Sequence, residues 1–416
     1  MSYIEKIRKY KFYNLLIFLT FFSLILGFYF NEDSTGGAFE DHVIHDQISN
    51  YFFFDFKDTL LNYDQLKTRH SPITPMFFSL FKFLNINEDI VRFFNLFTTL
   101  VLVYFFYKCL KICYPNINEN YLKLISSVIF LSPTIRSLSI WPDSHLYGLI
   151  FFMISTFFFI KFKFEKKSKK FNFVILNILF LALSSYIRPS FSLFSVFFFY
   201  NFLIEYKFSK KILYIILVNI VLSIPAFYYL FVLDVMFLSN HAFEDIDLIT
   251  RINLSNKILI ISSILLFHLI PFFFWKYSYF IEKIRNFNIF DITFILSLSF
   301  LLIIFFNYKK EFTGGGIFFH LSFLFNSTYL FFVISIIGIL ILYLLSKSNF
   351  KNFLLLLVLI LSNPQLTIYH KYYDPLLLIL FFLLFDLTYK KQSIKSKHIL
   401  FFYFHSIFFL ITNLIK

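Results

Sequence analysis

Glu40 and Asp41 stand side by side in a polar stretch, with His42 next in line and His45 one helical turn further on. A carboxylate near an imidazole is a minimal set for taking a proton from an attacking hydroxyl. Other polar residues could hold an anion: Arg136, Arg188, His370 and Lys371 each lie at the end of an apolar run. Charge-assisted hydrogen bonds from such groups to phosphate are short and strong. A base and an anion holder together suit transfer of a group away from a phosphate leaving group. The remaining chain shows what kind of scaffold must bring them together.

That scaffold is membrane-embedded. Of 416 residues, 59% are hydrophobic and 15% charged, against roughly 25% charged in an ordinary soluble domain. The 70 Phe run the length of the chain, and a soluble fold could not bury so much apolar surface. Stretches near the ~20 residues needed to cross a bilayer fall at 11–30, 92–113, 121–140, 144–163, 171–187, 190–205, 211–233, 257–275, 289–307, 321–345, 352–368, 374–389 and 397–415. The expected fold is an all-α polytopic membrane protein with about 11–13 transmembrane helices in a single membrane-embedded domain over 1–416. The first stretch reads as an uncleaved helix, since it is too long for a signal-peptide core and has no small-residue cleavage site.

The formal charge is +14, but its distribution does not suit nucleic acid. With a cytoplasmic N-terminus, most of the 38 Lys and Arg fall in cytoplasmic connectors, among them Lys6 to Lys11, Lys161 to Lys170 and Lys390 to Lys397. Such a bias sets helix orientation on insertion. Most of the 24 acids fall in the opposite connectors, so chemistry is expected on the non-cytoplasmic face. Lys-, Ile- and Phe-rich, Ala-poor usage points to an AT-rich bacterium and its inner membrane. Cys109 and Cys113, four apart on one helix, read as buried apolar residues.

The longest polar segment, 31–90, is expected to be the first outer (periplasmic) loop with interfacial helices. Ile44, Ile48, Tyr51, Phe52 and Phe56 recur at helical spacing, with Asp41, His45, Asp55 and Asp58 on other faces, so an amphipathic helix in the headgroup plane is expected. After His70-Ser71-Pro72, Met76 to Leu84 is apolar but too short to cross. Asp46, Asp55, Asp58 and Asp64 read as solvated faces or caps. His42 and His45 lie three apart, but no further ligand follows at convincing spacing, so neither a metal nor a cofactor is expected.

At an outer bacterial surface no nucleotide sugar is at hand, so an activated sugar must arrive on a lipid phosphate. The arrangement resembles the GT-C superfamily of integral membrane glycosyltransferases. The similarity rests on one helix followed by a large loop opening Phe39-Glu40-Asp41-His42, a turn at His70-Ser71-Pro72, Arg188 after a Tyr, Thr313-Gly314-Gly315-Gly316, and Lys371-Tyr372-Tyr373-Asp374-Pro375. The glycine run and the late patch are also similar to enzymes adding a terminal glucose to lipid-linked oligosaccharide.

This resemblance implies inverting, metal-independent transfer from a polyprenyl-phosphate sugar to a glycan, lipid or protein acceptor. It implies Asp41 as base, with Glu40 orienting the acceptor or replacing it. The pair here is Glu-Asp where that superfamily more often has Asp-Glu or Asp-Asp, which leaves the choice between them open. Arg188, Lys371, Arg136 and His370 are the expected donor-phosphate contacts, and His45, His70 and Tyr372 the expected acceptor or loop contacts. Two other functions compete. A transporter or flippase should show internal repeats and midplane charges; a polymerase or ligase for lipid-linked glycans usually carries its large loop late.

Overall fold

The computed structural model describes residues 3–165, 170–235, 253–310, 314–347, 349–363, 365–387 and 394–415, with side chains of the first helix from Phe12 onward. The acidic loop at 236–252, Glu311 and Thr313, and Lys166, Lys167, Lys169, Lys390 and Lys391 lie outside the described residues. Among those described, secondary structure is helical, with no β-strand. Eight helices are long and apolar enough to cross a membrane, and two bent helix pairs bring the number to as many as ten. The chain is an all-α polytopic membrane protein. Its contacts divide it into two compact units, Met1–Glu244 with Ser406–Lys416, and Asp245–His405.

The first unit opens with α1 (Tyr3–Tyr29). The connector that follows carries α2 (Ala38–Phe54), α3 (Phe56–Leu61) and α4 (Ile73–Phe83), with α2 packed on α4. Then come α5 (Glu88–Cys113), α6 (Glu119–Ser127), α7 (Pro133–Ile140), α8 (Ser144–Phe164), α9 (Lys170–Ile187), α10 (Phe194–Tyr206) and α11 (Lys210–Phe227). Helices α5 and α9 both pack on α8, the most buried of the unit's long spans. By contrast, α11 leaves Leu213, Leu217, Ile220, Val221 and Ile224 exposed. Water would penalise such a surface, whereas acyl chains would not.

The second unit contains α12 (Leu254–Trp275), α13 (Tyr277–Arg285), α14 (Ile289–Ile304), α15 (Gly316–Leu324), α16 (Thr328–Lys347), α17 (Phe350–Leu361), α18 (Leu376–Leu383) and most of α19 (Ser396–Leu414). Helix α12 forms its centre, packing on α15 and α16.

Two expectations are revised. The apolar run at 121–140 is not one straight helix: a 66° bend separates Glu119–Leu131 from Pro133–Ile140. Pro133 cannot donate to the preceding turn, and Ser132 accepts from the Ile135 amide to start a new helix. Helix α2 also does not divide as expected into one apolar and one polar face, its buried side holding both kinds. Asp41, His42, His45, Ser49 and Phe52 are buried with Ile48, while Ile44 and Tyr51 are exposed. An apolar surrounding explains this, because polar side chains there are satisfied only inside the protein.

Candidate functional site

Helix α2 starts where Gly37 adopts φ 107°, a left-handed conformation that favours glycine. Asp33 then caps the start from outside the helix, its Oδ2 accepting from the amides of Gly37 (2.8 Å) and Phe39 (3.2 Å). This fixes the first turn, from which Asp41 points inward and Glu40 is exposed. One turn on, both histidines meet the connector between α7 and α8. The His42 ring lies 3.1 Å from the Pro142 carbonyl through Nδ1, with Nε2 3.1 Å from Glu88. His45 Nε2 lies 3.1 Å from Asp143 Oδ1, both side chains being buried.

Asp143 occupies the N-cap position of α8, yet its side chain makes no capping hydrogen bond. A carboxylate there ordinarily accepts from the helix's first amides, worth about 1 kcal/mol. Here Oδ1 accepts from Ser144 Oγ at 2.8 Å and engages His45 instead. The carboxylate has been turned away from its helix toward α2.

His70 completes the cluster. Tyr63 Oη donates to the His70 carbonyl (2.9 Å), and Thr68 Oγ1 accepts from its amide (3.2 Å). Tyr63 is itself held by a small core with Ile48, Phe52 and Val235. The His70 ring stacks edge-on to His45 with centroids 4.5 Å apart, and its Nε2 lies 3.6 Å from Asp41 Oδ1. The ligand-capable atoms of His45, His70 and Asp143 all fall within 4.8 Å of one another. Burial and the nearby His45 hold the His70 imidazole below its ordinary pKa, against the opposing pull of Asp41 and Asp143. Burial would raise the Asp143 carboxyl, but the His45 hydrogen bond and the charges of His45, His70 and Arg188 hold it well below the usual carboxylate range.

Arg188 ends α9 and is half-buried, close enough to Asp143 for its charge to act there. Its backbone passes against α8 at Gly148, where a Cβ would stand 2.8 Å from that of Arg188. Ser71 Oγ donates to the Tyr186 carbonyl at 2.5 Å, tying the turn after His70 to the residues before Arg188. A cavity of about 660 Å³ begins at the same place. Ser71, Pro72, Ile73 and Met76 line it on one side, Ile178, Leu181, Ala182, Ser185, Tyr186 and Pro189 on another, and Asn219, Leu222, Ala226, Tyr229 and Leu230 on a third. Its walls are mostly apolar, and Tyr186 and Pro189 bracket Arg188.

Arg136 does not join this cluster. Its guanidinium forks onto Glu32 (Nε 2.7 Å, Nη2 2.5 Å) and donates to Ser23, deep inside the unit. That makes it a structural ion pair between α7 and the residues just after α1 rather than an available anion contact. His370, Lys371 and Tyr372 belong to the second unit. There His370 Nε2 lies 2.8 Å from His268 Nε2, Lys371 stacks over Tyr369, and Tyr372 donates to Gln365. The Gly315 amide donates to the Ile368 carbonyl, so the glycine run packs on the strand-like segment before His370.

Of the residues expected to act together, Asp41, His45, His70 and Arg188 lie in one region. Asp143 joins them without having been singled out: the sequence offers it only as one polar residue in Trp141-Pro142-Asp143-Ser144-His145. Its place at the start of a helix, after a Pro-containing connector, is the one local signal. The chain matches no family profile, no curated protein and no solved structure, so the geometry alone bears on function.

Proposed function

We propose that this protein is a glycosyltransferase of the GT-C kind, moving a sugar from a polyprenyl-phosphate carrier to an acceptor hydroxyl at the outer face of a bacterial inner membrane. The observation that carries the reading is the juncture at Ser71 and Tyr186, where the turn after His70 meets an apolar cavity of about 660 Å³ whose lining includes Tyr186 and Pro189, on either side of Arg188 in the chain.

In this reading Asp41 takes the proton from the acceptor hydroxyl. The freed oxygen attacks the anomeric carbon from the side opposite the phosphate, and the bond from that carbon to the phosphate oxygen breaks. The departing prenyl phosphate carries the charge, and Arg188 stabilises it as it develops. The groove along α4, α9 and α11 takes the prenyl tail. Burial of Asp41 and exposure of Glu40 favour Asp41 as the base.

The test is a radiolabel transfer assay with the purified chain and a panel of polyprenyl-phosphate sugars. Label appearing in an acceptor, and lost when Ala182 in the groove wall is replaced by Trp, supports the reading. No transfer from any carrier in the panel, with folded protein, overturns it.

A further inference from the structure

We infer that His45, His70 and Asp143 form a binding site for a divalent metal ion of the zinc class. Zinc takes imidazole nitrogen and carboxylate oxygen, and catalytic zinc characteristically has three protein ligands and one open position. With bonds of about 2.0–2.2 Å, tetrahedral ligand atoms stand roughly 3.4 Å apart. His45 Nε2 and Asp143 Oδ1 are 3.1 Å apart, close to that edge, and all three ligand-capable atoms lie within 4.8 Å.

Two further observations favour an ion over a plain His–Asp pair. The first is that Asp143 forgoes the capping of α8 that its position offers. The second is the position of His70: a salt bridge with His45 alone would not require a second buried imidazole against the first, yet the His70 ring centroid is 4.5 Å away.

The three ligands come from three separate segments: α2, the turn before α4, and the start of α8. An ion would therefore cross-link the connector at 31–90 to the helical body. Asp41 Oδ1, 3.6 Å from His70 Nε2, would stand beside it. The fourth position would accept an oxygen ligand such as water, a hydroxyl or a phosphate oxygen.

The experiment uses the full chain, purified in detergent on a tag free of histidine and dialysed against a zinc buffer. Elemental analysis should find about one zinc per chain, with His45→Ala and His70→Ala each weakening binding by more than the roughly 10- to 100-fold that loss of an outer-shell partner costs. His42→Ala, at the neighbouring buried histidine, should keep the ion. Wild-type protein without zinc, or a His70→Ala variant retaining it in full, overturns the site. Should the alanine variants fail to fold, cobalt(II) loaded into the wild type decides. Intense visible bands of four-coordinate cobalt support the site, and a pale octahedral spectrum overturns it. The inference does not rest on glycosyl transfer: zinc bound without transfer removes the proposed activity and leaves the metal site standing.

Discussion

His45 Nε2 and Asp143 Oδ1 lie 3.1 Å apart although 98 positions separate them in the chain. One stands on the inward face of α2 and the other at the start of α8, so the contact joins the connector at 31–90 to the unit's central helix. Around that joint lie Asp41, His70 and Arg188, and each can be tested.

Asp41→Asn keeps the shape of the side chain and removes the proton acceptor. Transfer should fall about 10²- to 10⁴-fold, the usual worth of a positioned base. Membrane insertion and the thermal transition should be unchanged. Labelled-sugar transfer measures the loss, and a thermal melt with size exclusion in detergent checks the fold. Wild-type turnover would remove Asp41 from the role.

Arg188→Ala should lower kcat/KM for the lipid donor by about 10²-fold, as expected when a charge-assisted phosphate contact is lost. The KM for the acceptor should stay within about twofold if that contact serves only the donor. Arg188→Lys should recover part of the loss, since lysine offers the charge without the fork. Varying donor and acceptor separately distinguishes these effects.

Gly148→Ala tests placement without touching a polar group. The added methyl would stand 2.8 Å from Arg188 Cβ and 3.2 Å from Phe191 Cε2. Neither is the far end of a flexible side chain, so the α9 terminus must move. Alanine improves helix propensity by about 1 kcal/mol over glycine, offsetting some of the strain. The expected result is little change in melting temperature with donor kcat/KM down about tenfold.

Glu32→Ala separates a structural arginine from a functional one. It leaves Arg136 buried opposite no carboxylate, which should cost about 3–5 kcal/mol of stability. The double variant Glu32→Ala with Arg136→Leu should recover much of that loss. Thermal melts in detergent follow both. If Arg136 instead serves the donor, the double variant will melt normally yet fail in transfer.

Hydropathy alone shows the chain to be a helical membrane protein, because apolar runs of spanning length leave few alternatives. That the first connector holds several polar residues close together is also readable, from Asp41, His42 and His45 within five positions. Three features are not readable, each for a physical reason. The inward face of α2 carries Asp41, His42 and His45 beside Ile48 and Phe52, so the apolar spacing places Ile48 and Phe52 rightly but Ile44 and Tyr51 wrongly. Arg136 looks like an outward cation at a helix end, and only the fold reveals that Glu32 occupies it. The grouping of His45, His70 and Asp143 is set by tertiary contact between distant segments, so spacing along the chain argues against a metal that the geometry accommodates.

The hydrogen bond from Ser71 to the Tyr186 carbonyl bears on how the proposed lipid donor would get in. Lifting the connector off the helical body would break it and pull the His70 turn away from Arg188. A route that avoids this cost runs sideways, through the hydrocarbon layer and along the channel walled by α4, α9 and α11. A molecule travelling that way would slide in tail and head together, without the protein opening to water at all.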